Sequence, residues 1–251
     1  MLFSVDKGRD RLYNQLSSLK AIFQLQPMRE GKGAKTIAPD KPRFIAVEGA
    51  IGVGKTSLTR ILAGVFKGKL VLEEVDKNPF LERFYEERET YAFQTQIFFL
   101  LSRYRQMREL MQGSLFEQGV VCDYILQKDK IFAYINLEDD ELQLYETLFR
   151  LLGANIPKPD LVIYLQAKPE VLIKRIRKRN KEYERNISLD YLKALSEAYN
   201  EFFFHYVDTP LLVVNTSEID FVESPQDLEQ LIKEIRSIKK GVQHYIPLGS
   251  S

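Results

Sequence analysis

Residues 49–56 of the sequence read G-A-I-G-V-G-K-T, which matches the G-x-x-x-x-G-K-[ST] spacing of a phosphate-binding loop. The glycines let successive backbone N–H groups point at one spot, and the helix expected after the loop adds the positive end of its dipole. Lys55 then reaches the β- and γ-phosphates of a nucleoside triphosphate, and the hydroxyl group of Thr56 binds Mg²⁺. The candidate ATP-binding residues of the loop are Gly49, Ala50, Ile51, Gly52, Val53, Gly54, Lys55, Thr56 and Ser57.

Carboxylates also occur where two further apolar runs end. Glu73 and Glu74 follow one run, and a carboxylate facing the phosphates there can accept the proton of an attacking hydroxyl group as a general base. Asp123 ends the other run, at the usual position of a second magnesium ligand beside a phosphate-binding loop. A solvated loop acid and a helix N-cap are the alternative interpretations of these two positions.

The predicted helix Tyr91–Met111 carries Gln96 and Arg103, which are seven residues apart and therefore lie on one face. An amide both donates and accepts hydrogen bonds, so a glutamine beside an arginine can recognise the edge of a nucleobase. Solvated polar residues on a half-buried helix explain the pair equally well, and both interpretations stay open.

Six basic residues lie within the segment KRIRKRNK, residues 174–181. Arg175 and Arg179 are four residues apart, on one face of the predicted helix. Cations there can close over a transferring phosphoryl group, because its oxygens carry spread negative charge. The alternatives are a nucleic-acid patch, against which the near-neutral net charge argues, and a solvated helix face.

Strand and helix patterns alternate from residue 42 onward, which predicts an α/β fold with a five-stranded parallel sheet covered by helices on both faces. Ligands of such sheets bind at the carboxyl ends of the strands, where the candidate residues lie. The predicted strands are Phe44–Glu48, Leu70–Leu72, Val120–Asp123, Leu161–Gln166 and Leu211–Asn215. The predicted helices are Lys55–Phe66, Pro79–Tyr85, Tyr91–Met111, Glu138–Leu152, Pro169–Lys181, Leu189–Tyr206 and Pro225–Ile238.

Three segments are expected along the 251 residues. Residues 1–42 are an N-terminal arm, in which Leu12, Leu16 and Leu19 recur at helical spacing before the flexible linker Glu30–Pro42. Residues 43–238 are the α/β domain. Residues 239–251 are expected to be a loose C-terminal tail.

The composition limits which binding partners and which cellular compartments are expected for the protein. The formal net charge is +1, so no bulk field favours nucleic acid or a membrane surface. Cys122 is the single cysteine, which is compatible with a reducing compartment. No apolar run reaches membrane-spanning length, and the first residues have the pattern of neither a signal peptide nor a transit peptide. We therefore expect a cytoplasmic protein without a nucleic-acid or membrane partner.

Residues 43 to about 238 resemble the deoxynucleoside kinase family, and are most similar to its bacterial deoxyadenosine and deoxyguanosine kinases. The resemblance implies a P-loop kinase fold with a short basic lid. The motifs that carry it are EGAIGVGKT, LEEVDKNPFLERFY, YAFQTQIFFLLSR and IYLQAKPEVLIKRIRKRNKEYE.

The resemblance also implies roles for single residues. Glu73, rather than Glu74, falls on the catalytic base, since the following position is usually a proline. Tyr85 and Glu184 fall on the residues that hold the 3′-hydroxyl group of the sugar. The cations expected to assist phosphoryl transfer are Lys55 of the loop and, in the lid, Arg175, Arg179 and Lys181.

Base recognition is a further implication of the resemblance. Gln96 and Arg103 match the base-reading glutamine and arginine, and Asp129 matches an aspartate found in members that act on purines or deoxycytidine. Members that favour thymidine tend to lack that aspartate and that arginine. We therefore expect a base with an exocyclic amino group.

One motif departs from the family. The acidic residue after the third strand, Asp123, is usually followed by an arginine that helps to organise the phosphoryl-transfer site, but Tyr124 stands there. Lys128 and Lys130 are nearby cations that could substitute, although a lysine lacks the planar donor fork of arginine.

The expected function is ATP- and Mg²⁺-dependent phosphorylation of the 5′-hydroxyl group of a deoxynucleoside, in nucleotide salvage. Deoxyadenosine and deoxyguanosine are favoured, with deoxycytidine as a further substrate, and the resemblance implies a homodimer. Two alternatives remain: a non-catalytic assembly subunit of kinase fold, for which the missing arginine is the best evidence, and a nucleoside monophosphate kinase, which shares the loop and the sheet.

Overall fold

The computed structural model of the protein describes residues 44–112, 119–153 and 156–247. The predicted N-terminal helix and linker, residues 1–42, lie outside the described residues. The expected α/β domain falls almost entirely within them.

A six-stranded parallel sheet forms the centre of the described part of the chain, with the strand order β2-β3-β1-β4-β5-β6. The phosphate-binding loop follows β1, which is buried along its whole length between β3 and β4. The strands are β1 (Phe44–Gly49), β2 (Lys69–Val71), β3 (Val120–Cys122), β4 (Leu161–Gln166), β5 (Leu211–Asn215) and β6 (Val242–Tyr245).

The prediction of five strands was wrong, because β6 adds a sixth at one edge of the sheet. This strand lies within the segment 239–251 that was expected to be a loose tail, and it pairs with β5 in parallel register, Val213 opposite His244. Its four residues, VQHY, are alternately exposed and half-buried. A short edge strand of this kind lacks the continuous apolar run that identifies a buried parallel strand.

Helices cover both faces of the sheet. Two of them begin as their sequences predict: Ser188 caps one by accepting a hydrogen bond from the N–H of Tyr191 at 3.1 Å, and Ser224 caps another, with Pro225 at its first turn. The α-helices of the described residues are α1 (Lys55–Phe66), α2 (Leu81–Glu86), α3 (Arg88–Gln112), α4 (Lys128–Asn136), α5 (Asp139–Gly153), α6 (Pro169–Arg179), α7 (Leu189–Phe204) and α8 (Pro225–Ser237).

Helix α4 was not predicted. It has only nine residues, and seven of them are buried, among them the charged Lys128 and Asp129. With apolar and charged residues buried alike, the segment shows no helical alternation of apolar and polar positions. This helix carries the residues that follow the altered motif at Tyr124.

Two groups of buried side chains hold the fold together. The larger group lies on both sides of the sheet and includes a stack in which the rings of Tyr164 and Phe203 are 4.2 Å apart between centroids. The smaller group packs α2, α3, α4 and α5 together and contains Phe84, Leu100 and Tyr145. The smaller group builds a wall beside the carboxyl ends of β1, β2 and β3. Among the described helices, none combines the length and the apolar character needed to cross a membrane.

Candidate active site

A cavity of about 490 Å³ opens where β1, β2 and β3 end. The loop after β1, the segment after β2 and the helices α3 and α4 surround it on one side, and the segment after α6 closes it on the other. Four predicted site side chains, those of Ala50, Val53, Asp129 and Arg175, do not line it. The predicted side chains that line it are Ile51, Lys55, Thr56, Ser57, Glu73, Tyr85, Gln96, Arg103, Asp123, Arg179, Lys181 and Glu184.

The loop after β1 has the backbone conformation that its glycines allow. Gly49 has φ of 146° and packs so closely against the carbonyl oxygen of Leu165 in β4 that a side chain would collide with it. Gly54 has φ of 105° and precedes the first residue of α1. The N-terminus of α1 therefore opens onto the cavity, which is the arrangement that binds phosphate groups.

The ammonium group of Lys55 is held by the loop itself. It donates hydrogen bonds to the carbonyl oxygens of Gly49 at 2.7 Å and Ala50 at 3.1 Å. Burial, and secondly the positive charge of Lys128, lower the pKa of Lys55 to about 8. An anionic ligand in the cavity would relieve the repulsion between these two cations.

Asp123 connects the loop to the end of β2. Its Oδ2 accepts a hydrogen bond from the hydroxyl group of Thr56 at 2.9 Å, and its Oδ1 accepts one from the backbone N–H of Glu73 at 2.7 Å. Oxygen atoms from one hydroxyl group and one carboxylate, beside a site for phosphates, are a donor set that suits Mg²⁺. Thr56 and Asp123 thus fit the predicted metal site.

The structure places Glu73 in the cavity and Glu74 outside it. Oε1 of Glu73 accepts a hydrogen bond from Nε of Arg103 at 2.7 Å, and Oε2 accepts one from Nζ of Lys128 at 2.8 Å. Glu74 instead pairs with Lys77 at 2.6 Å on the surface. Burial raises the pKa of Glu73, but the positive charges of Arg103 and Lys128 outweigh it and bring the pKa to about 2. Glu73 is therefore ionised throughout the neutral range.

The three residues expected to recognise the base, Gln96, Arg103 and Asp129, form a connected set. Arg103 contacts both Glu73 and the carboxylate of Asp129, which is fully buried. Nε2 of Gln96 donates to the backbone carbonyl of Asp129 at 2.8 Å. Gln96 and Arg103 face the cavity, whereas the Asp129 carboxylate lies against Arg103 and away from the lining. In this arrangement the Asp129 carboxylate reaches the cavity only through its contact with Arg103.

Tyr85 and Glu184 both line the cavity. Glu184 is buried and accepts two hydrogen bonds from NH2 of Arg179, at 2.6 Å and 2.7 Å. Burial, followed by the charges of Tyr191 and Glu184, raises the pKa of Tyr85. The phenol of Tyr85 thus stays neutral and faces the carboxylate, so a hydroxyl group of a ligand could bridge the two.

Two residues that the sequence analysis did not single out close the opening. Lys181 donates to the hydroxyl group of Tyr183 at 2.6 Å and lies 3.3 Å from Oδ1 of Asp76. The Tyr183 hydroxyl also donates to Asp76 at 3.1 Å, and its ring stacks on Tyr85 with centroids 6.0 Å apart. The lid after α6 is thereby joined to the segment after β2. Asp76 and Tyr183 both lie within motifs quoted above, but no role was assigned to either.

Arg175 occupies a different environment from the one expected. Its guanidinium group donates to the carbonyl oxygen of Thr216 at 2.8 Å and to that of Ile219 at 3.2 Å. It also lies 3.5 Å from the carbonyl oxygen of Val53 in the phosphate-binding loop. Arg175 thus ties the segment after β5 to the loop, while Arg179 reaches the cavity. Its expected role as a cation at the transferred phosphoryl group remains a prediction.

Glu48 is a further residue that the sequence analysis passed over. It is a fully buried carboxylate in β1, and it accepts hydrogen bonds from the N–H groups of Ile125 at 2.7 Å and Gly49 at 3.1 Å. Burial raises its pKa. The sequence feature that could have identified Glu48 is its position as a charged residue at the end of an apolar strand. Through its two hydrogen bonds, Glu48 fixes the loop after β3 against the phosphate-binding loop.

A parallel sheet in this strand order, with a phosphate-binding loop after β1 and a basic lid above it, defines an α/β protein of the P-loop kinase fold. The chain belongs to the deoxynucleoside kinase family, because the family model described as deoxynucleoside kinase matches residues 45–240. The fold class and the family that the motifs indicated are confirmed, apart from the number of strands.

Curated relatives support the same family. The chain is 33% identical over 200 residues to the deoxyguanosine kinase of Bacillus subtilis (strain 168), with 78% of this chain and 97% of the relative covered. It is 37% identical over 197 residues to the deoxyadenosine kinase of Dictyostelium discoideum, with 75% and 77% covered.

Among solved structures, deoxyadenosine kinase from M. mycoides has a similar fold. With the products dCMP and a flexible dCDP bound, it has a TM-score of 0.68 and 26% identity, covering 78% of this chain and all of that one (100%). The same enzyme with bound dATP also has a TM-score of 0.68, at 25% identity and the same coverage.

Proposed function

We propose that this protein transfers the γ-phosphoryl group of ATP to the 5′-hydroxyl group of a deoxynucleoside. The observation that carries the proposal is the position of Glu73, whose carboxylate lines the same cavity as Lys55 and Thr56 of the phosphate-binding loop. A carboxylate facing the loop suits a hydroxyl acceptor. The names of the relatives, deoxyguanosine kinase and deoxyadenosine kinase, support the same acceptor class.

Each group of residues in the cavity has a different role in the proposed reaction. Glu73 accepts the proton of the 5′-hydroxyl group, and its low pKa keeps it ionised so that it can orient that group. Lys55, Arg179 and Lys181 neutralise the charge on the phosphoryl oxygens during an in-line transfer. Thr56 and Asp123 hold Mg²⁺, which neutralises further phosphate charge when bound.

The sugar is held at the opening of the cavity. A 3′-hydroxyl group between Tyr85 and Glu184 can donate to the carboxylate and accept from the phenol, which satisfies all three groups. A nucleoside monophosphate kinase would need arginines for an acceptor phosphate in this place. Two of the arginines that line the cavity already have carboxylate partners, Arg103 with Glu73 and Arg179 with Glu184. The arrangement therefore favours a nucleoside over a nucleotide acceptor.

Deoxyadenosine and deoxyguanosine are the proposed substrates, and deoxycytidine is a further one. Gln96 and Arg103 line the wall where a base would lie, and Asp129 orients Arg103 from behind. Thymine presents two carbonyl groups and a methyl group, and it lacks the exocyclic amino group that a carboxylate acceptor such as Asp129 favours. The relatives named for purine nucleosides support this preference.

A homodimer is also proposed. Leu144 and Leu151 are seven residues apart on α5 and are 52% and 74% exposed, and Leu101 on the adjacent α3 is 49% exposed. Neighbouring helices that leave large apolar side chains in solvent are suited to pack against a second copy. A two-fold axis through these helices would bury the exposed leucines of both copies.

The remaining part of the proposal concerns the metabolic role and the cellular compartment of the protein. A kinase that converts deoxynucleosides into monophosphates acts in nucleotide salvage, where ATP and Mg²⁺ are available. The single cysteine, Cys122, is buried and free, which is compatible with the reducing conditions of the cytoplasm.

One screen tests the function. The purified protein is incubated with ATP and Mg²⁺ and, separately, with each deoxynucleoside and each deoxynucleoside monophosphate, and ADP formation is measured. Phosphorylation of deoxyadenosine or deoxyguanosine is the expected result, with Glu73→Gln as the inactive control. Activity on monophosphates alone would instead identify a nucleoside monophosphate kinase, and activity on neither class would identify an assembly subunit.

A further inference from the structure

Lys128 is a charged residue in an unusual place. It is the first residue of α4 and only 2% exposed, and its ammonium group donates a 2.8 Å hydrogen bond to Oε2 of Glu73. A buried ammonium group is costly unless an anion or acceptor meets it, and Glu73 is the carboxylate that does so. The lysine also lines the same cavity as Lys55 and Asp123.

The position that normally supplies a cation near this site cannot do so here. Tyr124 replaces the arginine of the family motif, and its side chain is fully buried. Its hydroxyl group donates to Oε1 of Gln106 at 2.7 Å, and Gln106 donates to the carbonyl oxygen of Leu72 at 3.1 Å. Tyr124 therefore supports the end of β2 from behind and brings no positive charge.

The second nearby lysine points elsewhere. Nζ of Lys130 lies 4.8 Å above the ring of Phe149 in α5 and does not line the cavity. In the turn that begins α4, the backbone N–H of Lys128 bonds to the carbonyl oxygen of Ile125 at 3.3 Å. The N–H of Ile125 in turn bonds to the buried carboxylate of Glu48 at 2.7 Å. Lys128 is thus set in place by the strand that precedes the phosphate-binding loop.

Two cations hold the two oxygens of the Glu73 carboxylate. Arg103 holds Oε1 at 2.7 Å while facing the wall where a base would lie. Lys128 holds the other oxygen, Oε2, at 2.8 Å. We propose that Lys128 is the positioning residue that holds the Glu73 carboxylate towards the 5′-hydroxyl group, replacing the arginine that the family carries after β3. The proposal rests on the proposed kinase activity.

In the transfer step, the 5′-oxygen forms a bond to the γ-phosphorus and the bond from that phosphorus to the β,γ-bridging oxygen breaks. The hydroxyl proton passes to Glu73, and ADP carries away the electron pair of the broken bond. Lys128 takes no part in these bond changes and acts through Glu73.

A double-mutant cycle tests this role, since residues that act as a unit lose activity non-additively. Lys128→Met should lower kcat about 10²-fold while the KM values for ATP and the nucleoside change less than about threefold. In a Glu73→Gln background, Lys128→Met should cost less than about threefold, because the group it positions is already disabled. Lys130→Met, the matched control on the same helix, should keep wild-type kcat.

The outcomes separate this proposal from the proposed function. An inactive wild-type protein overturns the kinase assignment, and this proposal with it. An active wild-type protein with full kcat in Lys128→Met, or with the same fold-loss in both backgrounds, overturns the role of Lys128 alone. If Lys128→Met does not fold, as judged by circular dichroism, the variant Lys128→Arg is measured instead. A kcat of Lys128→Arg within about tenfold of wild type supports a positioning role for the positive charge at this position. A loss of kcat of about 10²-fold or more overturns that role.

Discussion

Nε of Arg103 donates a hydrogen bond to Oε1 of Glu73 at 2.7 Å. Motif matching assigns the arginine to the nucleobase and the glutamate to the 5′-hydroxyl group, yet the two side chains form one ion pair. The same guanidinium group also pairs with Asp129. In the proposed function, base recognition and the orientation of the Glu73 carboxylate therefore share one residue, and we expect a change at Arg103 to affect both.

Replacing Glu73 with glutamine keeps its size but removes its ability to accept a proton. We expect kcat to fall about 10²-fold or more, while the affinity for ATP stays unchanged. Steady-state kinetics and calorimetric ATP titration measure the two effects. Glu74→Gln is the matched control, because Glu74 lies on the surface with Lys77. If Glu74→Gln were inactive and Glu73→Gln were active, the general base would be Glu74 and not Glu73.

The hydroxyl group of Tyr85 is predicted to contact the 3′-hydroxyl group of the sugar. Tyr85→Phe should lower kcat/KM for deoxynucleosides by the equivalent of about 1–3 kcal/mol, because a buried polar partner is left unpaired. Substrates without a 3′-hydroxyl group should lose much less. Equal losses for 2′-deoxyadenosine and 2′,3′-dideoxyadenosine would remove the proposed sugar contact.

The double change Arg103→Met with Asp129→Ala is expected to shift specificity towards thymidine. We expect the ratio of kcat/KM for thymidine to that for deoxyadenosine to rise about tenfold, since the carboxylate of Asp129, an acceptor that disfavours the carbonyl groups of thymine, is removed together with the arginine that pairs with it. The kcat values for both substrates should fall, because Arg103 also holds Glu73. A four-substrate competition measures the ratio, and a wild-type preference for thymidine would contradict this view of the pocket.

ATP binding should weaken at alkaline pH. Burial and the charge of Lys128 lower the pKa of Lys55 to about 8 in the unliganded protein, whereas a bound triphosphate favours the charged form. Above pH 8, binding must therefore take up a proton, and the Kd for ATP should rise about tenfold or more between pH 7.5 and 9.5. Calorimetry in two buffers of different ionisation enthalpy would detect the proton. In Lys55→Met the pH dependence should disappear, and its persistence there would point to another group.

The oligomeric state can be tested at the exposed leucines of α5. Leu144→Glu with Leu151→Glu should convert a dimer into a monomer, because two charges would be buried in the interface. Light scattering during size-exclusion chromatography measures the mass. The control pair Val222→Glu with Val242→Glu also replaces exposed apolar residues, 55% and 53% accessible, but away from α3 and α5. A monomeric wild-type protein would remove the proposed interface.

The sequence by itself determined the fold class, the family and the position of the phosphate-binding loop. Strands β4 and β5 and helix α1 have the predicted bounds, Leu161–Gln166, Leu211–Asn215 and Lys55–Phe66. Buried parallel strands are continuous apolar runs, and the loop needs glycine and lysine at fixed spacing. Local composition alone carries both signals.

Only the tertiary structure decided which charged groups meet. Lys128 and Lys130 look alike in sequence, but the turn after β3 aims the first at Glu73, 55 residues away along the chain, and leaves the second on Phe149. Arg175 and Arg179 share a predicted helix face, yet one binds the carbonyl groups after β5 and the other binds Glu184. Strand β6 exists because β5 offers it an edge to pair with. Each of these outcomes depends on contacts between distant segments, and side-chain spacing along one helix or strand carries no record of them.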